Sequence, residues 1–496
     1  MTNFVPTPEQ ADIVSAARDT EDNLLISALA GAAKTSTLVL IAEALPSVRL
    51  LCLAFNVRIK KEMEKRMPDN ATVMTLNGLG HRVWSDTIGR RLELNTSKTY
   101  GLTKALVEDL GPDDRKEAYE YFSDITKAID LGKTCGYVPD GAYGEAQRLM
   151  DDSAFFAHLD EEPTPLMMDI IRQVSALSIK RGLAGEIDFA DQLLLPTIFR
   201  SSFPRFPLVL TDESQDFSAL NHVMLGKLVR QRIIAVGDEC QSIYAFRGAS
   251  EDSMELLRQE FSMRQLVLSI SFRCPKEVIR AAQWRAPHMQ WPEWAKEGEV
   301  RTLSSWSVAD IPVDSAIICR NNAPLFAMAI RLLKERRPVE LIGNDIGKYL
   351  IKVMKKLGND DIKRSAAKAA LMRWRDDKLR KARNAGPVLD QYECIKLFLN
   401  EGETLRQAIA YAEHIFNSTG PVKLMTGHKS KGLEFPHVFF LDPDLVRMKE
   451  PQDRNLKYVI QTRAQETLTY VQSEAFVGEH LESDDDSADG EEGNGD

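Results

Sequence analysis

Apolar residues gather in short uninterrupted runs at 23–27, 50–55, 207–210 and 232–236, and each run opens into a loop rich in Gly, Asp or Asn. Such runs read as strands buried on both faces, the pattern of a parallel sheet covered by helices. A second series follows at 316–319, 339–342, 422–425, 438–441 and 468–471. Two α/β units are therefore expected, each visited by the chain more than once. Two stretches, 85–183 and 344–419, are poor in strand-like runs and rich in Ala, Glu, Lys, Arg and Leu, so both are expected to be mainly helical insertions.

At 496 residues the chain exceeds one ordinary core, and 44% hydrophobic with 27% charged residues excludes disordered, collagenous and disulfide-dense classes. No run approaches the roughly 18 apolar residues of a membrane span, and Met1 to Glu21 lacks the apolar stretch of a secretion signal. A cytoplasmic protein without a membrane partner is expected. Cys52, Cys135, Cys240, Cys274, Cys319 and Cys394 form no CxxC pair, which argues against a zinc site or a disulfide framework.

Charge changes the picture locally. The net charge is −10, but 479–496 alone hold nine carboxylates and no Lys or Arg. That tail cannot bury enough apolar surface to offset its ordering entropy, so it is expected to be disordered, serving solubility or docking a protein partner. Residues 348–383 hold 13 Lys/Arg against four Asp/Glu. This excess suits a phosphate backbone, and equally a solvated helical face.

Three segments carry candidate chemistry. After the run at 23–27 comes Ala28-Leu29-Ala30-Gly31-Ala32-Ala33-Lys34-Thr35-Ser36, followed by a helical stretch. A phosphate loop needs inward backbone amides, a Lys for the β/γ-phosphates, a hydroxyl for Mg²⁺ and a helix N-terminus aimed at the anion. Ala30, Gly31, Ala32, Ala33, Lys34, Thr35 and Ser36 fit that role, although Ala33 replaces the usual Gly. Taken alone, the segment also fits a helix start rich in small residues. The run at 207–210 leads into Thr211-Asp212-Glu213-Ser214-Gln215-Asp216, acids at a strand's C-terminal end, where ligand crevices lie. Asp212 suits Mg²⁺ and Glu213 suits polarising a water. The third segment is Val236-Gly237-Asp238-Glu239-Cys240-Gln241-Ser242-Ile243-Tyr244-Ala245-Phe246-Arg247-Gly248-Ala249.

This third segment resembles a motif of superfamily 1A DNA helicases of the UvrD/Rep type, with Glu239 where Pro is usual, and other motifs of that family follow in order. Thr7-Pro8-Glu9-Gln10 resembles its N-terminal glutamine motif, Ala54-Phe55-Asn56 and Thr75-Leu76-Asn77-Gly78 its DNA-contacting motifs, and Ile187-Asp188-Phe189 with Asp191 its acidic-aromatic segment. Ser271-Phe272-Arg273-Cys274, the run Thr426-Gly427-His428-Lys429-Ser430-Lys431-Gly432-Leu433-Glu434, and Gln461-Thr462-Arg463-Ala464 resemble the later ones. The resemblance implies two RecA-like parallel-sheet domains, the first at 1–84 and 184–275 and the second at 276–343 and 420–478. Its helical insertions would be 85–183 and the basic 344–419, compact as in a viral member, followed by the tail at 479–496.

What the resemblance implies for function is an ATP- and Mg²⁺-dependent 3′→5′ single-stranded DNA translocase and helicase. Catalytic roles fall to Lys34, Asp212, Glu213, Gln241, Arg273 and Arg463, the last an arginine finger from the second domain, with Thr35 and Asp212 on the metal. Gln10, Phe272 and Glu434 would contact adenine and sugar. Phe55, Asn56, Thr75, Tyr244, Phe246, Arg247, Thr426 and His428 would contact DNA, with base stacking worth roughly 1–3 kcal/mol per base and indifferent to sequence. Partners would be single strands, forks and partial duplexes, met by a monomer in a bacterial or virus-infected host cytoplasm during repair, replication or recombination. The alternative is a DNA-binding scaffold whose ATPase has decayed, motivated by Ala33.

Overall fold

The structure is a computed structural model that describes residues 5–478 except 160–161, 245–247, 249–251, 344 and 383. The chain divides into two compact units, Met1–Ile270 and Ser271–Asp496. Each contains one six-stranded sheet in which every paired strand is parallel.

In unit 1 the strands are β1 (Leu24–Ala28), β2 (Leu50–Ala54), β3 (Ala71–Thr75), β4 (Glu93–Leu94), β5 (Glu186–Ile187), β6 (Phe206–Thr211), β7 (Val229–Gly237) and β8 (Arg264–Leu268). The large sheet runs β3-β2-β6-β7-β1-β8, and β4 pairs with β5 apart from it. Successive side chains of a strand face opposite sides. Leu24, Ile26 and Ala28 of β1 therefore pack with Leu38 and Ile41 on one face, while Leu25 joins Leu51, Leu53, Met224 and Leu225 on the other. Burial on both faces is why these strands read as uninterrupted apolar runs, each buried Leu or Ile contributing roughly 1.5–3 kcal/mol.

The expected strands at 23–27, 50–55, 207–210 and 232–236 correspond to β1, β2, β6 and β7, the four central strands. The edge strands β3 and β8 carry polar residues at alternate or leading positions and give no apolar run. The stretch between β4 and β5 is helical, from Lys98–Glu108 to Pro165–Leu183, around Ile125, Ile129, Phe155 and Ile171. Four charged side chains are buried where it meets the segment after β5. Lys98 Nζ lies 2.6 Å from Asp191 Oδ2, and Lys133 is paired with both Asp188 and Asp191.

Unit 2 contains β9 (Glu299–Thr302), β10 (Ser315–Cys319), β11 (Val339–Leu341), β12 (Val422–Thr426), β13 (Phe435–Leu441) and β14 (Ala464–Val471), in the order β11-β12-β10-β13-β14-β9. The helices Asp345–Lys355, Arg364–Lys381, Ala385–Asn400 and Leu405–Phe416 occupy the stretch between β11 and β12. They do not build a core of their own: Leu371, Phe398 and Leu405 belong to the same cluster as Ile317, Phe326 and Phe439. No helix among the described residues is long and apolar enough to cross a membrane.

Candidate active site

The C-terminal ends of β1, β6 and β7, the middle of the unit 1 sheet, bring together the residues read as a phosphate loop and its acids. From β1 the chain passes through Gly31 at φ 76° and Ala33 at φ 55° before the helix Lys34–Ala44. Both are left-handed conformations, which Gly adopts freely and Ala at a cost of roughly 1–2 kcal/mol. The helix has no side-chain N-cap, so its first amides are not claimed by a capping side chain, the arrangement that favours an anion.

Lys34 Nζ stands 3.0 Å from Glu213 Oε1, and Thr35 Oγ1 donates to Asp212 Oδ2 at 3.3 Å. Glu213 itself is held at φ 51°, a second non-Gly residue in the left-handed region. Its other oxygen accepts from Gln215 Nε2 at 2.5 Å, and Gln215 Oε1 accepts from the Asp238 amide at 2.9 Å. Asp238 in turn accepts from the Cys240 amide and the Gln241 side chain. One hydrogen-bonded path thus runs from Lys34 through Glu213 and Gln215 to the end of β7, just ahead of Tyr244. Sequence reading named Lys34, Glu213 and Gln241 but missed Gln215 and Asp238, which lie inside the same quoted segments and whose signal was a Gln two positions after the acid and an Asp ending a buried strand.

Electrostatics follow from burial. Asp212 is pushed up to about 6, first by desolvation and then by Glu213, while Asp238 is raised chiefly by desolvation. Burial works against the Lys34 ammonium but is outweighed by Glu213, Asp238 and Asp212, which hold it above the ordinary lysine value. The oxygens of Thr35 and Asp212, hard donors beside a left-handed loop and an ammonium, have the chemistry to hold Mg²⁺ beside a nucleotide.

The remaining candidates in unit 1 have local bonding of their own. Gln10 is buried; its amide accepts from the Thr7 backbone and donates to Thr37 Oγ1 at 3.0 Å, tying the first helix to the one after the phosphate loop. Ala30 and Ala32 are buried, and Ser36 Oγ accepts from Arg66 at 2.8 Å. Asn56 caps the helix Val57–Glu64 two residues past the end of β2, and Thr75, the last residue of β3, caps Leu76–Ile88. Phe55 is exposed beside Asn56. Phe246 and Arg247 lie outside the described residues.

In unit 2, Arg273 and Glu434 form an ion pair of 2.5 Å, and Gln465 Nε2 donates to the other oxygen of Glu434 at 2.9 Å. Arg463 is buried and donates to the carbonyls of Val459 and Leu433 and to Thr462 Oγ1. Desolvation, then the neighbouring Arg273, lowers its pKa to about 10, still charged at neutral pH. Phe272 lies 6.2 Å from the ring of Trp294, an exposed tryptophan that sequence reading did not single out. Thr426 ends β12, and His428 lies two residues past it.

Comparison with known proteins points one way. Residues 149–262 match the family model described as the UvrD/REP helicase N-terminal domain, and 421–471 match the UvrD-like helicase C-terminal domain. The first match contains Asp212, Glu213 and Gln241 and the second contains Thr426, His428, Glu434 and Arg463, whereas the phosphate loop lies outside both. The F-box DNA helicase protein 1 of Schizosaccharomyces pombe is 25% identical over 366 residues, 68% of this chain and 40% of that protein. The ATP-dependent DNA helicase Rep of Salmonella typhimurium is 29% identical over 192 residues, 36% of this chain and 26% of Rep. DNA helicase II of Escherichia coli is 24% identical over 298 residues, 55% and 39% of the two chains. The matched stretches span well under half the length of each of these relatives.

Proposed function

Taking the chain as a superfamily 1A relative of the UvrD and Rep helicases, we propose that it is an ATP-dependent 3′→5′ translocase on single-stranded DNA that unwinds forks and partial duplexes. The observation that carries this reading is the bonded path Lys34–Glu213–Gln215–Asp238 beside the Thr35–Asp212 pair. In this reading the left-handed loop and the helix N-terminus after it cradle phosphates, with Lys34 as their counter-charge. Thr35 and Asp212 hold Mg²⁺, which supplies neutralisation of charge on the transferring phosphoryl group. Glu213 takes the proton of the attacking water. Because Gln215 bonds Glu213 on one side and the Asp238 amide on the other, any displacement of Glu213 is passed to the segment leading into Tyr244. That path is how a change at the phosphate becomes a change of grip on DNA. From the resemblance of their segments, Arg273 and Arg463 take the role of charges for the γ-phosphate, and Phe272 and Glu434 that of contacts to base and sugar.

The 3′→5′ direction rests on the likeness of 241–249 to the UvrD/Rep segment, in which no Pro-rich stretch follows the Gln. A decayed ATPase has less support, since Lys34, Thr35, Asp212 and Glu213 are all present and bonded together at the ends of β1 and β6, and Arg273 and Arg463 are present as well. Steady-state ATPase with and without single-stranded DNA, beside Lys34→Ala and Glu213→Gln, tests the reading. Strong DNA stimulation abolished by both variants is expected. A flat baseline insensitive to either variant, with DNA binding intact, would leave a scaffold.

A further inference from the structure

Resting on the reading of this chain as a single-strand translocase, we propose that the helix Asp345–Lys355 is a phosphate-binding rail that takes the DNA strand beyond Thr426 and His428. Lys348, Lys352 and Lys355, with Lys356 in the turn just past the helix, fall at i, i+4, i+7 and i+8, so they share one side. All four are exposed, while Leu350, Val353 and Met354 on the other side are buried in the core of unit 2. The apolar side fixes the helix against the fold, and the lysine side is presented outward about once per 5.4 Å turn.

Counter-charges separate this helix from its neighbour. Among the described residues Lys355 faces Glu413 at 3.6 Å, both well exposed, and Lys348, Lys352 and Lys356 are paired with no carboxylate. On the helix Arg364–Lys381, by contrast, Arg375 is bonded to Asp376 and lies over the Tyr392 ring, and Arg380 is bonded to Asp377. Within 348–383, the helix Arg364–Lys381 thus sets part of its charge against its own Asp376 and Asp377, whereas three of the four lysines on this stripe meet no carboxylate among the described residues. Exposed ammonium groups in a row, most of them without a carboxylate partner among the described residues, release counterions on meeting a polyanion.

Position argues for the single strand. The parallel neighbours β11 and β12 are in register at Leu341↔Leu424, so their C-terminal ends lie side by side. One leads into Thr426 and His428 and the other into Gly343 and the lysine helix. Gly343, at φ 103°, is packed under the Lys429 side chain, and a Cβ there would stand 3.0 Å from Lys429 Cε. The rail thus starts beside the residues read as strand contacts and runs from them for about 16 Å along 11 residues. Exposed lysines on a phosphate backbone are indifferent to base identity, as a translocase requires.

The test is the salt dependence of binding labelled oligo(dT) by the full chain, with Lys348→Gln/Lys352→Gln/Lys356→Gln compared with wild type between roughly 50 and 200 mM salt. Losing three phosphate contacts should make the log–log slope shallower by about 2 and lower affinity at the low-salt end about tenfold, with ATPase in the absence of DNA unchanged. The corresponding triple Lys→Arg variant should keep the wild-type slope. An unchanged slope in the Gln variant, with wild type binding tightly, would sink the rail alone. A change seen only with forked or duplex DNA would also overturn it, moving the stripe to duplex recognition. If wild type bound no oligo(dT), the translocase reading would fall and the rail with it.

Discussion

Glu213 reaches Lys34 at 3.0 Å from a backbone held at φ 51°, so the carboxylate at the end of β6 meets the phosphate-loop lysine only through a conformation that costs roughly 1–3 kcal/mol. Strain of this kind persists where neighbours over-determine it, here the Lys34 and Gln215 bonds. The two partners should therefore fail differently. Lys34→Met should weaken binding of a fluorescent ATP analogue, because the counter-charge to phosphate is gone. Glu213→Gln, which keeps size and the Gln215 contact, should hold affinity within a few-fold while kcat falls about 10²–10⁴-fold. Equal losses of affinity in both would argue that Glu213 only positions Lys34.

The buried Asp212 carboxyl, raised to about 6, gives a signed pH effect. Its folded pKa lies above the unfolded value, so its ionisation opposes folding: the penalty is absent below about pH 4, grows between pH 4 and 6, and is complete above 6. Asp212→Asn should stabilise the chain by on the order of 2–3 kcal/mol at pH 7 and by almost nothing at pH 3.5, measured by denaturant unfolding. Its ATPase should be lost at every pH, because Asn cannot supply the anionic oxygen.

Ala33→Gly should raise stability by about 0.5–1 kcal/mol, the left-handed cost removed less the extra entropy Gly brings to the unfolded chain. ATPase should be kept or increased. A loss of stability would mean that the Ala33 methyl makes packing contacts worth more than its strain.

Lys98, Lys133, Asp188 and Asp191 are buried as a neutral set of two cations and two anions. Lys98→Met leaves one uncompensated buried charge and should destabilise unit 1 by roughly 3–5 kcal/mol. Lys98→Met with Asp191→Leu should recover much of that loss, a coupling that a double-mutant cycle on thermal or urea unfolding reads directly. Additive losses would show that each side chain matters for its hydrogen bonds, not for charge balance.

Sequence reached the middle of each sheet and one rim strand, β11, but missed the other three rims. β1, β2, β6 and β7 were legible because both faces are buried, whereas β8 begins Arg264-Gln265 and β9 is Glu299-Val300-Arg301-Thr302, too polar to signal a strand. That Lys34, Thr35, Asp212 and Glu213 belong together was legible because strand ends concentrate such residues. What could not be read was pairing over distance: nothing near Asp188 or Asp191 announces Lys98 or Lys133, which arrive from separate helices upstream. Nor did the basic run at 348–383 reveal that Leu350, Val353 and Met354 join the unit 2 core and leave the lysines of that helix facing outward, since that depends on what the helix packs against.

The first strand of unit 1 carries a cost in time. β1 is flanked by β7 and β8, through Leu24↔Ile234 and Leu24↔Arg264, partners more than 200 residues downstream. At roughly 5–20 residues per second on the ribosome, β1 and the phosphate loop after it spend on the order of 10–40 s without either neighbour. The helical stretch between β4 and β5, whose contacts are more local, can form in that interval. During that window the unpaired edges of β1 are a place where the chain can be lost to misassociation before its sheet closes.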